Sequence, residues 1–327
     1  MSINQNAASR IMPNKNTKLL QANDSGISEA AEILRMGGLV AFPTETVYGL
    51  GADARSDAAV ARIFEAKGRP QFNPLIVHVA SAQAAEEIAE FDAAARRLAS
   101  AFWPGPLTLV VPARPEAGIS ALISAGLPSV AIRVPEHWLA QRLLAAFGGP
   151  IAAPSANPSG RISPTLAQHV LDGLSGRIEA VLDGGACGVG VESTIIGLLP
   201  EPTLLRAGGL PVEAIEACLG RSLAQAEISD RPNAPGQLES HYAPDALLRL
   251  NATERKPGEV LLGFGAVDCD LNLSPSGDLT EAAANLFRYL HDLDAHATDG
   301  IAVSPIPDHG LGRAINDRLA RAAAPRG

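Results

Sequence analysis

Aromatic residues are scarce in this sequence: Phe, Trp and Tyr together make up 4% of its 327 residues. The core must therefore be built mainly from Leu, Ile, Val and Ala, and a hydrophobic content of 46% supplies enough of them. Cysteine is scarce too. Cys187, Cys218 and Cys269 lie far apart and form no CxxC pair. That excludes a disulfide framework and a Cys-rich zinc site, and it fits a reducing, cytoplasmic setting. Basic residues do not predominate. The net charge of -9 excludes a generally basic nucleic-acid coat protein, while leaving room for a local basic cleft. No apolar run approaches the length of a membrane span. Residues 1–22 lack the apolar centre of a secretory signal and read as a disordered tail. There is no GxSxG elbow, no HExxH and no Walker A string, and the histidines are not spaced like metal ligands.

What is present alternates between helical and strand-like periodicity. A helix is expected over 28–36, with Ala30, Ile33 and Leu34 on one face and Gly37-Gly38 ending it. A buried strand over 39–42 follows, then a helix over 57–66 capped by Ser56 or Asp57 and stopped by Gly68. Further strands are expected near 75–79, 107–111, 130–134, 151–153, 179–182, 194–198 and 203–206, with helices between several of them. This pattern implies an α/β domain with a twisted mixed sheet. After a helix over 212–219, residues 228–244 are rich in Pro, Gly and polar side chains, as suits a linker or a long ordered loop. A smaller α/β unit follows, with strands over 259–264 and 301–304 and helices over 280–293 and 310–323. The length also favours two domains. The resulting division is 1–22 tail, 23–222 first domain, 223–245 linker, 246–327 second domain.

Several stretches carry candidate chemistry. Gly49-Leu50-Gly51-Ala52-Asp53-Ala54 has the form of a dinucleotide fingerprint but lacks the strand-to-helix context, so a tight turn is expected there. Thr44, Glu45 and Thr46 sit at a strand end, where they could line a polar site or simply form a polar loop. Lys67 and Arg69 fall at a helix C-terminus, where cations complement the dipole, yet Arg also offers a planar fork to phosphate oxygens. Nearby, His78 lies in an apolar strand. The loop 154–165 (PSANPSGRISPT) follows a strand and ends in Ser163-Pro164, which reads as an N-cap with proline at the first helical position. A helix N-terminus so placed would offer free amides to an anion. Arg133 and Arg206 are charges in otherwise apolar strands, and each demands a counter-charge from the protein or a ligand. Together with Lys67 and Arg69 they point to an anionic ligand.

In their order along the chain, these strings resemble the Sua5/YrdC/TsaC family of threonylcarbamoyl-AMP synthases. The matches are PTETVYGLG at 43–51, KGRPQFNPLIVHV at 67–79, WPGPLTLV at 103–110, VAIRVP at 130–135, PSANPSGRISPT at 154–165, ESTII at 192–196 and LLRAG at 204–208. HYAP at 241–244, LSPSGD at 273–278, AAANLFRYL at 282–290 and GLGRAINDRLARAA at 310–323 resemble the linker and C-terminal domain of the longer, two-domain Sua5 form. GQLES, just before HYAP, departs from the basic residues of several relatives.

The resemblance implies a YrdC-like catalytic domain, a linker acting as a lid, and a Rossmann-like C-terminal domain. It implies a nucleotidyltransferase that joins L-threonine, bicarbonate or CO2, and ATP into threonylcarbamoyl-AMP and pyrophosphate. Mg2+ would be carried on the ATP phosphates. The product would pass to a tRNA-modifying threonylcarbamoyltransferase complex for N6-threonylcarbamoyladenosine formation. By the same resemblance, Thr46, His78, Arg133, Ala153 and Ser193 hold threonine, with Arg133 on its carboxylate. Lys67, Arg69, Asn73, Ser129, Ser155, Asn157, Ser163, Arg206 and Tyr242 hold ATP, with Lys67 and Arg69 as the catalytic cations. The alternatives are an RNA-binding module of the same fold without turnover, and a carbamoyl-transfer domain of hydrogenase-maturation proteins. The latter carry zinc-finger segments that the three scattered cysteines cannot supply.

Overall fold

The computed structural model describes residues 16–70, 72–226, 241–297 and 299–325. The first strand, β1 (Lys18–Gln21), leads directly into α1 (Asp24–Arg35). Asn23 caps this helix by accepting from the Gly26 amide at 2.9 Å. The expected tail is therefore too long at its inner end, because Lys18–Gln21 pairs in parallel with residues 180–183. Residues 1–15 lie outside the described residues.

Strands β2 (Val40–Pro43) and β3 (Tyr48–Asp53) form an antiparallel pair. The glycines expected to make a tight turn are thus inside a strand. Their role is close packing: a Cβ on Gly51 would stand 2.9 Å from the Phe42 ring and 3.0 Å from Ile151. Helix α2 (Asp57–Lys67) begins at its Ser56 cap and stops at Gly68, whose φ of 61° is left-handed.

There follow β4 (Ile76–His78), α3 (Ala82–Ile88), α4 (Ala93–Phe102), β5 (Leu107–Pro112), the single turn α5 (Ala121–Ser124), β6 (Ser129–Arg133) and α6 (Trp138–Phe147). The domain closes with β7 (Ile151–Ala152), α7 (Ala167–Leu174), β8 (Ala180–Asp183), β9 (Thr194–Leu198), β10 (Pro202–Arg206), α8 (Val212–Leu219) and β11 (Ala224–Gln225).

These strands build one 11-stranded sheet in the order β1-β8-β2-β3-β7-β4-β6-β5-β9-β10-β11. It is mixed, as expected: β4 runs parallel to β6, whereas β5 runs antiparallel to β6 and parallel to β9. The main core gathers Leu50, Val60, Ile63, Leu98, Leu109 and Ile132 among others, and a second packs α1 and α6 over β2 and β8. Leu, Ile, Val and Ala dominate both, as the aromatic-poor composition requires.

The second domain comprises β12 (Leu248–Arg249), β13 (Glu259–Gly263), β14 (Leu271–Asn272), α9 (Leu279–Asp294), β15 (Gly300–Val303) and α10 (Leu311–Ala323). Its four strands lie in the order β12-β15-β13-β14, all parallel. Its core is shared with the first domain. Val47, Ile162 and Val191 pack with Leu286, Phe287 and Ile315, and Tyr242 joins them. Most of the expected linker, residues 227–240 including GQLES, lies outside the described residues. No helix among the described residues is long and apolar enough to cross a membrane.

Candidate active site

The ends of β4, β6, β9 and β10 converge with the loops 43–48 and 153–163. The cavity they form is lined by Thr46, Arg69, His78, Arg133, Ala153, Ser155, Ser193, Arg206 and Tyr242, together with Glu192 and His241. The sheet places His78 and Arg133 side by side, because β4 and β6 are parallel with those two residues in register. Between β2 and β3, the Thr44 hydroxyl donates to the Val47 carbonyl at 2.7 Å and shapes the turn that carries Glu45 and Thr46.

Arg133 is buried and fully engaged. Its Nη2 donates to Glu45 Oε1 at 2.6 Å, its Nη1 to Thr46 Oγ1 at 2.8 Å, and its Nε to the Gly105 carbonyl at 3.3 Å. The counter-charge demanded of this strand arginine is thus Glu45, whose other oxygen accepts from the Glu136 amide at 3.1 Å. Burial, reinforced by Arg133, pushes the His78 imidazole down to about 3, so it is neutral at physiological pH. Its ring meets Phe42 edge-on.

Lys67 ends α2 and is buried. Its ammonium donates to the Ser155 carbonyl at 2.6 Å and to the Asn157 carbonyl, tying the helix end to the loop. Burial, then the charge of Arg69, holds its pKa well below the ordinary lysine range, while Glu192 acts the other way. Arg69 donates to the carbonyls of Pro74 at 2.9 Å and Asn73 at 3.3 Å. Burial lowers it to about 10, so it remains charged. Arg206 donates to the Ser193 carbonyl at 3.1 and 3.0 Å and to its hydroxyl at 3.3 Å, and that hydroxyl lies 2.7 Å from Thr108 Oγ1.

Several polar atoms in and around this cavity are buried with no partner among the described residues. They are both amide atoms of Asn73, Nδ1 of His78, Oδ1 of Asn157, Nδ1 of His241 and the hydroxyl of Tyr242. Each is costly unless something polar meets it. Tyr242 forms the roof. Its backbone has φ of 63°, its ring packs against Phe287, and the Arg318 guanidinium lies 5.3 Å from its ring centre. With His241 and Tyr242 in place the cavity measures about 40 Å³.

One expectation fails, and one expected residue lies apart from the cavity. Ser163 does not cap a helix: α7 starts at Ala167 with Leu166 as its cap residue and no side-chain cap bond. Its hydroxyl donates to Glu192 Oε1 at 2.5 Å, a charge-assisted bond that sets the orientation of the side chain. The helix-terminus anion site is therefore not formed there. Ser129 does not join the cavity either. It stands at the opposite end of β6 from Arg133, beside Val110, Leu127, Gly197 and Leu205.

Glu45, Glu192, His241 and Arg318 were not assigned to the site from sequence. The first three lie inside strings singled out there. Arg318 left a fainter signal, three residues after Ile315 and four after Ala314 on the buried face of α10.

A family model for Sua5, YciO and YrdC, described as telomere recombination, matches residues 32–208. The chain belongs to the Sua5/YciO/YrdC family. A second model, described as the threonylcarbamoyl-AMP synthase C-terminal domain, matches residues 210–324. The threonylcarbamoyl-AMP synthase of Bacillus subtilis is 42% identical over 334 residues, covering 95% of this chain and 96% of its own. The crystal structure of Pyrococcus abyssi Sua5 complexed with L-threonine superposes with a TM-score of 0.87 at 40% identity, covering 94% of this chain and 98% of that one. The threonylcarbamoyl-AMP synthase of Halorhodospira halophila is 39% identical over 183 residues, a match that takes in 56% of this chain but 90% of that protein. The resemblance drawn from the motifs therefore holds, and the match to Sua5 extends through both domains.

Proposed function

We infer that this protein makes threonylcarbamoyl-AMP from L-threonine, bicarbonate or CO2, and ATP, the first step of N6-threonylcarbamoyladenosine formation in tRNA. The observation that carries this reading is the meeting of buried cations with buried, unpartnered polar atoms in one cavity. Such a site suits a ligand that is anionic and rich in hydrogen-bonding groups.

In the reaction, the threonine amine adds to CO2 and gives a carbamate. A carbamate oxygen attacks the α-phosphorus of ATP, and the bond to the leaving pyrophosphate breaks. No protein nucleophile is needed. The protein aligns two bound reactants and stabilises the charge that moves onto pyrophosphate. We assign Lys67, Arg69 and Arg206 to the phosphates, with Asn73, Ser155 and Asn157 supplying hydrogen bonds. Ser163 acts with Glu192. Thr46, His78, Arg133, Ala153 and Ser193 surround threonine. Neutral His78 can accept from a substrate hydroxyl or ammonium without adding charge. For the threonine carboxylate to reach Arg133, it must share or take the place of Glu45.

Ser129, Ala131 and Arg133 alternate along β6 and share one face. Between the two ends lies an apolar strip of Ile76, Val110, Ala131 and Ile195, on which a nucleotide base could lie and so reach Ser129. His241 and Tyr242 line the cavity, and in this reading they swing aside to admit ATP. Their return over the adenylate would exclude water. Mg2+ would enter on the triphosphate and neutralise its charge there. The groups aimed at the phosphates are cations, amides and hydroxyls, which fits a metal held by phosphate and water oxygens. Transfer of the product to a tRNA-modifying complex in the cytoplasm completes the reading.

A backbone-binding RNA module is disfavoured, because Lys67, Arg69, Arg133 and Arg206 are all buried, whereas charges that contact a phosphate backbone are exposed. The test is pyrophosphate release from ATP with threonine and bicarbonate each supplied or omitted. Release that requires both, with an adenylate product by mass, is the expected result. ATP binding without release under any combination would reject the synthase reading.

A further inference from the structure

Glu192 is out of place in a site for a polyphosphate. It lines the cavity and is buried, and its charge acts on Lys67 and Arg206. A carboxylate so placed would pair with those cations and repel the phosphates they serve. In this structure its two oxygens are instead taken by other groups.

Oε2 accepts from Arg318 Nε at 2.9 Å, and Oε1 accepts from the Ser163 hydroxyl at 2.5 Å. Arg318 comes from α10 of the second domain, 126 residues away in sequence, and its side chain is 0% exposed. Its Nη1 donates to the Ala207 carbonyl at 2.7 Å and to Asp317 at 2.8 Å, which fixes the guanidinium from behind. Its face lies against the Tyr242 ring. The C-terminal domain thus reaches through its interface to a carboxylate of the cavity wall, to the serine beside it and to the roof above it.

We propose that Arg318 is a positioning residue for the ATP site: it holds the Glu192 carboxylate away from Lys67 and Arg206 and fixes Ser163 through it, so that the C-terminal domain completes the polyphosphate pocket. The role rests on the reading of this cavity as an ATP site. Without Arg318, Glu192 turns to the pocket cations and competes with the triphosphate.

The test uses the full chain and measures KM for ATP, KM for threonine and kcat, with thermal midpoints as a control on folding. Arg318→Met keeps most of the side-chain volume and removes the charge. Its KM for ATP is expected to rise ten- to a hundredfold while KM for threonine stays within about threefold, and Arg318→Lys should recover part of the loss. Adding Glu192→Gln to Arg318→Met should restore ATP binding at least tenfold, because the competing charge is gone. Should Arg318→Met alone fail to fold, the double variant is compared with Glu192→Gln alone, and the expected KM for ATP is equal within about threefold. An unchanged KM for ATP in folded Arg318→Met overturns the proposal. So does a parallel rise for both substrates, or a double variant that binds ATP no better than Arg318→Met or far worse than Glu192→Gln. Absence of turnover in the unsubstituted protein would instead reject the ATP-site reading itself.

Discussion

Asn73 is fully buried, and neither atom of its side-chain amide has a partner among the described residues. In the proposed function the cost of that burial is met by hydrogen bonds to ATP. Asn73→Leu should therefore raise stability by about 1 kcal/mol, since removing an unsatisfied buried amide relieves its desolvation penalty. The same change should raise KM for ATP roughly tenfold, the equivalent of about 1.4 kcal/mol of lost contact. Denaturant midpoints and substrate kinetics on the one variant check both halves, and a loss of stability alongside unchanged kinetics would count against the role. Arg133 and Arg206 stood out in the sequence because a charge among apolar neighbours demands an explanation, and Lys67 and Arg69 because cations clustered at a helix end suit phosphate as well as the dipole. Their partners did not. That Arg133 meets Glu45, and that Glu192 meets Arg318, are facts of tertiary packing. Ser163 misled for a related reason: Ser-Pro has the look of a helix start, but a buried carboxylate claims the hydroxyl.

Elements with strong local punctuation were legible too. α2 keeps its Ser56 cap and its Gly68 stop, and α8 covers Val212–Leu219, the range its pattern predicts. Strands of two residues, such as β11, β12 and β14, are defined by their pairing and leave little trace in a sequence. β3 was lost because its glycines look like a turn until their neighbours are known. Gly208, just past the end of β10, belongs to the same class. A Cβ there would stand 2.3 Å from the Glu192 carbonyl oxygen and 2.4 Å from both the Ser193 carbonyl carbon and the Thr194 nitrogen. These are backbone atoms at the start of β9 that cannot yield without moving the cavity wall. Gly208→Ala should cost at least about 2 kcal/mol of stability, the scale of core overpacking, and should reduce activity further in the protein that remains folded. Equilibrium unfolding combined with activity per folded molecule checks this.

At the scale of the whole molecule, buried histidines make the fold sensitive to acid. His78, His169 and His241 are each lowered to about 3 from an ordinary 6.5, chiefly by burial. His169 also stacks on His291 of the second domain, with ring centres 3.9 Å apart. The folded pKa lies below the unfolded one in each case, so the unfolded chain binds more protons once the pH falls below 6.5. The stability these neutral rings retain is complete above pH 6.5 and is lost as pH drops toward 3, at up to about 1.4 kcal/mol per pH unit for each ring. Thermal midpoints should hold steady from pH 8 to 7 and fall steeply between 6 and 4.5. A flat profile across that range would mean the rings are not held neutral.

The hold of Arg318 on Glu192 also bears on how long and short members of this family relate by descent. A chain that ends with the first domain has no α10 and so no guanidinium to answer a carboxylate at the position of Glu192. There the carboxylate would poison its own phosphate site. Loss of the second domain and loss of that acid should thus have been inherited as one change, with a neutral residue at the aligned position in short chains and Glu in long ones.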